Sequence, residues 1–376
     1  MTKYNEISFI ENLRHFTPKN YQNSRLSVWH KLPIARRSAV FILLFMGNLG
    51  ELRVILTKRS SKLRNFPGHV ALPGGKADDS LESEWDVSRR EMSEEIGMSD
   101  KDDELKKLGI SIEHLTTLPS YLSRTFSCVK PCVGIMHNLI GDDENDIASR
   151  LNIVLNPGES SSIFSCPLKD FLYPTIDEPA LEALERVSYK VKWGGIPWDL
   201  RSYTFLQNNP HEAEWLKNIK DLSASEEESE LELQLGDELD RKEKKSVTPP
   251  NATPSRSTSP PLHKRTRKRS NSWGRLGARV DEDTNERIYD VWGLTANILH
   301  DVARAVYIGP DGLGDGQMGE EEMIYSLHHY GNQMQTKERS PVEVKMIHAT
   351  HGDEDLGFDK VLPESEFNRL AVLYKV

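Results

Sequence analysis

The chain of 376 residues carries a net charge of −10, with 37% hydrophobic and 28% charged residues. An acidic balance argues against nucleic acid as a general partner, and the shortfall of apolar residues points to a part that joins no core. The three cysteines, Cys128, Cys132 and Cys166, give no disulfide framework and fit a reducing compartment. Cys128 and Cys132 lack partners at zinc-site spacing and read as small buried residues. No apolar run reaches the roughly 18 residues of a membrane span. The N-terminus carries Glu6 and Glu11 and no apolar signal core, so secretion is not expected.

In chain order, residues 1–34 read as a leader with a short helix around Ile7 to Arg14. The apolar run Val40 to Phe45 predicts a buried strand, Gly47 to Gly50 a turn, and Arg53 to Leu56 a second strand. A Gly/Pro-rich stretch, Pro67 to Gly75, precedes a helix from about Leu81 to Ile96, with Gly97 as its stop. Short apolar stretches follow at Val129 to Met136, Ile153 to Leu155 and Ser162 to Leu168. Residues 224–286 change character: an acidic stretch, then a Pro/Ser/Thr segment with a basic run. Little there can enter a core, which predicts a disordered insertion. Helical spacing of Val291, Leu294, Ile298, Val302 and Val306 predicts a helix over Ile288 to Val306. The expected organisation is one α+β domain made of 35–223 and 287–310, the latter its closing helix. A tail, 311–376, gives no confident structure.

The segment Gly74 to Met98 carries the chemistry. On a helix, Glu91, Glu94 and Glu95 fall within one arc of roughly 100°, while Trp85, Met92 and Ile96 cluster on another face. An acidic stripe is most often a solvated surface, since like charges at this spacing destabilise a helix. A hard divalent cation relieves that repulsion, and a diphosphate is its natural co-ligand.

Arg90-Glu91-Met92-Ser93-Glu94-Glu95-Ile96-Gly97-Met98 resembles the second half of the Nudix box, and Glu82 stands where the box has its first glutamate. Gly75 lies seven residues before Glu82 where the box has six, so the loop is one residue longer. Upstream, Leu56, Thr57, Arg59, Ser60, Arg64, Gly68, Pro73, Gly74 and Gly75 match the signature of the coenzyme A diphosphatase branch in register. Ile55 and Leu72 replace its Leu and Phe. Weaker echoes lie at Val129 to Gly134, at Asn156 to Glu159 and at Trp292 to Ala296.

The resemblance implies a Nudix fold, a mixed sheet sandwiched between helices. It also implies hydrolysis of coenzyme A and its derivatives to 4′-phosphopantetheine and adenosine 3′,5′-bisphosphate. Glu91, Glu94 and Glu95, with the Gly75 carbonyl, would hold Mg²⁺ or Mn²⁺, and Arg90 would orient the carboxylates. Lys58, Arg59, Ser60, Arg64, Gly68 and Gly74 are the candidate substrate-binding residues. The general base stays open between the box glutamates and Glu159. Two alternatives stand beside this: a diphosphatase for oxidised nucleotides such as 8-oxo-dGTP, and a Nudix-fold binding module without catalysis. The basic run 263–269, flanked by Ser259 and Ser270, suits an import factor or another anionic partner, or is a solvated linker. The family resemblance suggests a peroxisomal location, although Tyr374-Lys375-Val376 is not a Ser-Lys-Leu type of address, and the cytoplasm is the alternative.

Overall fold

The structure is a computed structural model that describes residues 4–141, 147, 149–151, 153–223, 279–281, 284–309, 318–349 and 357–374. The elements begin with α1 (Ile10–Arg14), β1 (Arg37–Met46), β2 (Leu52–Arg59), β3 (Val70–Ala71), β4 (Gly74–Lys76), α2 (Glu84–Ile96) and α3 (Asp102–Lys107). Then come β5 (Ile110–Thr117), β6 (Tyr121–Leu122), β7 (Cys128–Asn138), β8 (Ser160–Pro167), β9 (Glu185–Trp193), β10 (Ile196–Leu206) and α4 (Glu214–Lys217). After the insertion follow β11 (Arg279–Val280), β12 (Arg287–Trp292), α5 (Gly293–Tyr307), α6 (Glu321–His329), α7 (Pro341–His348) and α8 (Glu364–Leu373).

Strand β1 is the axis of the main sheet. It pairs antiparallel with β2 (Leu44↔Val54) and β4 (Ala39↔Gly75), and parallel with β7 (Ala39↔Lys130). The order is β3-β2-β1-β7-β5, with β8 on β2 and β6 on β7. Its unbroken apolar run follows from burial on both faces. Phe41, Leu43 and Phe45 join Met92 and Ile96 of α2 in one cluster. Ile42 and Leu44, one residue out of phase, join Ile298 and Val302 of α5 in another. This is the expected mixed sheet between helices. A second sheet, β11-β12-β10-β9, stands beside it, and its β9–β10 hairpin turns at Gly194-Gly195.

Several expectations need correction. The helix predicted from Ile288 starts at Gly293, because Ile288 to Trp292 pairs with β10 as a strand. The apolar spacing there served both elements in succession. The apolar stretch Ile153 to Leu155 lies in a loop whose backbone caps α2, with Val154 and Asn156 donating to the carbonyls of Ile96 and Glu95 at 3.1 and 3.0 Å. Of the expected insertion, 279–281 and 284–286 belong to the second sheet and its turn. Residues 224–278, with the basic run 263–269, lie outside the described residues. The tail is built into the core: Met323, Ile324, Leu327, Phe358 and Leu370 share a buried cluster with Val28 and Trp29. Among the described residues, no helix is long and apolar enough to cross a membrane.

Candidate active site

Helix α2 starts on a capping box: Ser83 Oγ accepts from the Asp86 N–H at 3.1 Å and Asp86 Oδ2 from the Ser83 N–H at 3.2 Å. It ends at Gly97, whose φ of 75° closes the last turn. The extra loop residue before the helix is absorbed by an Asp turn. Asp79 Oδ1 takes the N–H groups of Leu81 and Glu82, and Leu81 projects into solvent at 91% exposure. Glu82 therefore still reaches Arg90, at 2.8 Å.

Arg90 is the hub of the acidic face. Its guanidinium donates to Glu82, to Glu91 at 3.0 Å, to Glu94 at 3.3 Å and to the Lys76 carbonyl at 2.8 Å. These pairings answer the like-charge repulsion within the stripe. The three glutamates are not equivalent: Glu94 is exposed, Glu91 half-buried, and Glu95 only 7% exposed. Burial pushes the Glu91 carboxyl up against the pull of Arg90, with Glu94 and Glu159 adding to the rise. Burial lifts Glu95 to about 8, opposed by Arg59 and the Gly74 N–H, with Glu91 and Glu159 adding to the rise. Glu95 Oε2 is buried with no hydrogen-bond partner.

Gly75 lies against this face. A Cβ there would overlap the Glu91 carboxylate, so only glycine lets the β4 backbone come so close. Among the described residues no three acidic, His or Cys side chains stand ready as a metal cluster. Arg90 provides the counter-charge for Glu91 and Glu94 in this arrangement. The orphaned Glu95 oxygen and the close Gly75 backbone nevertheless fit a hard cation with oxygen ligands.

Beside the acidic helix opens a cavity of about 510 Å³, lined at this end by Arg59, Gly74, Gly75 and Lys76. Trp292 of β12 also lines it, and its Nε1–H donates to His69 Nδ1 at 3.2 Å. Burial, then the Arg59 charge, lowers the His69 pKa; the neutral ring thus carries its proton on Nε2.

The other sequence candidates are placed elsewhere. Lys58 alternates to the opposite face of β2 from Arg59 and donates to Ser223 Oγ at 3.0 Å. Ser60 is fully buried, and its N–H holds the Glu159 carbonyl at 2.9 Å. Arg64 is exposed and outside the cavity wall; the half-buried Gly68, also outside it, donates its N–H to the Arg59 carbonyl at 3.2 Å. Trp193 and Trp198 of the β9–β10 hairpin, Arg124, and Arg339 of the tail line the cavity. Sequence reasoning missed all four, which lie in no motif and meet only through tertiary packing.

Residues 35–187 match the NUDIX domain. The chain is 38% identical to peroxisomal coenzyme A diphosphatase 1 of Saccharomyces cerevisiae, over 94% of this chain and 92% of that one. It belongs to the Nudix hydrolase family. Shorter stretches match Nudix hydrolase 15, mitochondrial, of Arabidopsis thaliana (41% identity, 36% of this chain, 42% of that one). They also match the peroxisomal coenzyme A diphosphatase ndx-8 of Caenorhabditis elegans (34% identity, 37% and 51%). Nudix hydrolases cleave diphosphate bonds and generally use divalent metal ions.

Proposed function

We propose that the protein hydrolyses the diphosphate of coenzyme A and its derivatives to 4′-phosphopantetheine and adenosine 3′,5′-bisphosphate. The observation that carries this reading is the match along 94% of the chain to a coenzyme A diphosphatase. The geometry supports it: the Glu91 carboxylate lies against Gly75, and Gly75 lines a cavity with cationic and aromatic walls suited to an anionic substrate. Glu91, Glu94, Glu95 and the Gly75 carbonyl are the ligands proposed for Mg²⁺ or Mn²⁺. When bound, the cation neutralises diphosphate charge and acidifies a water. Arg90 fixes the carboxylates, and Arg59 meets the diphosphate as a forked donor. Glu159, on the turn that caps α2, remains a candidate base alongside the box glutamates. A peroxisomal location rests on the descriptions of the relatives.

The test is incubation with coenzyme A, 8-oxo-dGTP, NADH and ADP-ribose, with Mg²⁺ or Mn²⁺ in turn, and mass analysis of products. A Glu94→Gln/Glu95→Gln double variant runs beside the wild type. Release of 4′-phosphopantetheine by the wild type alone is the expected result. Preferred cleavage of another panel member overturns the coenzyme A reading, and tight binding without cleavage replaces it with a binding module.

A further inference from the structure

The far wall of the cavity, away from the metal-side carboxylates, is cationic and rich in hydroxyls: Arg124, Arg339, Ser123, Thr125 and Ser127 line it. We propose that Arg339, with Arg124, forms a subsite for a phosphate monoester of the substrate remote from the diphosphate that is cleaved. On the coenzyme A reading, on which this rests, that group is the 3′-phosphate.

Arg339 is held in place. Arg36, 1% exposed, donates to the carbonyls of Thr336 at 2.7 Å and Glu338 at 2.8 Å, and to that of Phe126 at 2.9 Å. It thereby clamps the loop carrying Arg339 against the loop carrying Arg124. Arg124 in turn donates to the Ala349 carbonyl, just beyond α7, at 2.7 Å. Among the described residues, the Arg339 guanidinium makes long hydrogen bonds, to Ser127 Oγ and the Lys337 carbonyl, both at 3.4 Å. Glu343, the carboxylate whose charge acts on Arg339, is committed to Arg36 at 2.7 Å. A fork of donors this lightly used suits a phosphate.

The charges around the wall agree. Asp199 is paired with Lys190 at 2.8 Å and Arg201 at 3.1 Å. Glu320, lifted by burial to about 8, is neutral at pH 7 and takes the Leu122 N–H. Neither carboxyl cancels the arginines. Burial lowers the pKa of both Arg124 and Arg339, and Arg36 adds to the effect at Arg339 while Glu343 opposes it. A bound anion would relieve that penalty.

The span also fits. Gly75 pairs with Ala39 and Ala39 with Lys130, so Ser127 lies two strands across and three residues along from Gly75. Strand geometry makes that roughly 14 Å. A ribose between two phosphates, extended by an arginine at one end and a hydrated cation at the other, covers such a gap.

The experiment is steady-state hydrolysis of coenzyme A and of dephospho-coenzyme A, which lacks only the 3′-phosphate, by full-length wild type, R339Q and R339K. The readout is the ratio of their KM values, which is independent of how much variant is folded. The wild type should favour coenzyme A about 10- to 100-fold, as for a lost charge-assisted contact. In R339Q the ratio should collapse towards one, with partial recovery in R339K. A wild-type ratio near one, or an unchanged ratio in R339Q, overturns the subsite and leaves the coenzyme A reading standing. A wild type that cleaves neither compound overturns the coenzyme A reading, and the subsite with it.

Discussion

Replacing Glu95 by glutamine keeps the shape of the buried side chain and removes its proton. In the cation-free protein, burial holds the Glu95 pKa at about 8, above its ordinary 4.5. The unfolded chain releases that proton near 4.5, while the native state keeps it to about 8. The native state thus binds more protons throughout this window. Its stability is complete below the lower value and declines as pH rises through the upper one. At 1.36 kcal/mol per unit, the decline between pH 5 and pH 8 is roughly 3 kcal/mol. Glutamine has no such term. Urea denaturation in EDTA should therefore show E95Q gaining on the wild type by roughly that amount from pH 5 to pH 8. Saturating Mg²⁺ at pH 8 should reverse the order, because the ionised carboxylate gains a counter-charge that the amide cannot use. Stability curves that stay parallel across this range would refute the assignment of Glu95 as a buried, cation-linked acid.

Three further outcomes follow from contacts. Gly75→Ala forces a Cβ into the Glu91 carboxylate; kcat should fall about 100-fold, as for a misplaced catalytic group, with a smaller change in Tm. Lys58→Ala should leave KM for coenzyme A within about twofold, because the ammonium faces Ser223 and not the cavity; a tenfold rise would return Lys58 to the substrate site. Glu321→Gln leaves the Lys130 ammonium buried without its counter-charge, and urea denaturation should show a loss of about 3–5 kcal/mol.

The acidic end of the site could be read from sequence because its parts are local. A capped helix of known pitch fixes which of Glu91, Glu94 and Glu95 share an arc, and the glycine pair precedes it on the adjoining strand. Spacing could not say that Glu95 is buried while Glu94 is exposed, since that depends on the Asn156 turn folding back onto α2. Nor could it place Lys58 and Arg59 on opposite faces of β2 without knowing which side holds the cavity. The tail was unreadable for a different reason. Its helices are short and carry mixed faces, and they gain stability from a leader hundreds of residues away.

The long-range packing that hid the tail is also what gives it a role. Glu321, at the start of α6, is fully buried and accepts from the Ser120 N–H at 3.0 Å, the Val28 N–H at 2.8 Å and Lys130 Nζ at 3.4 Å. One carboxylate thus ties the tail to the leader, to the β5–β6 connection and to β7. Burial raises its pKa, but Lys130 and the other donors outweigh that and hold it below the ordinary value, so the tie stays charged at neutral pH. Arg36 makes the same kind of join from the front of β1 to the loop that carries Arg339. The tail therefore cannot shift without breaking buried charged contacts. A wall fixed in this way can present Arg339 at a set distance from the Gly75 strand, as selection of a substrate by the separation of its phosphates requires.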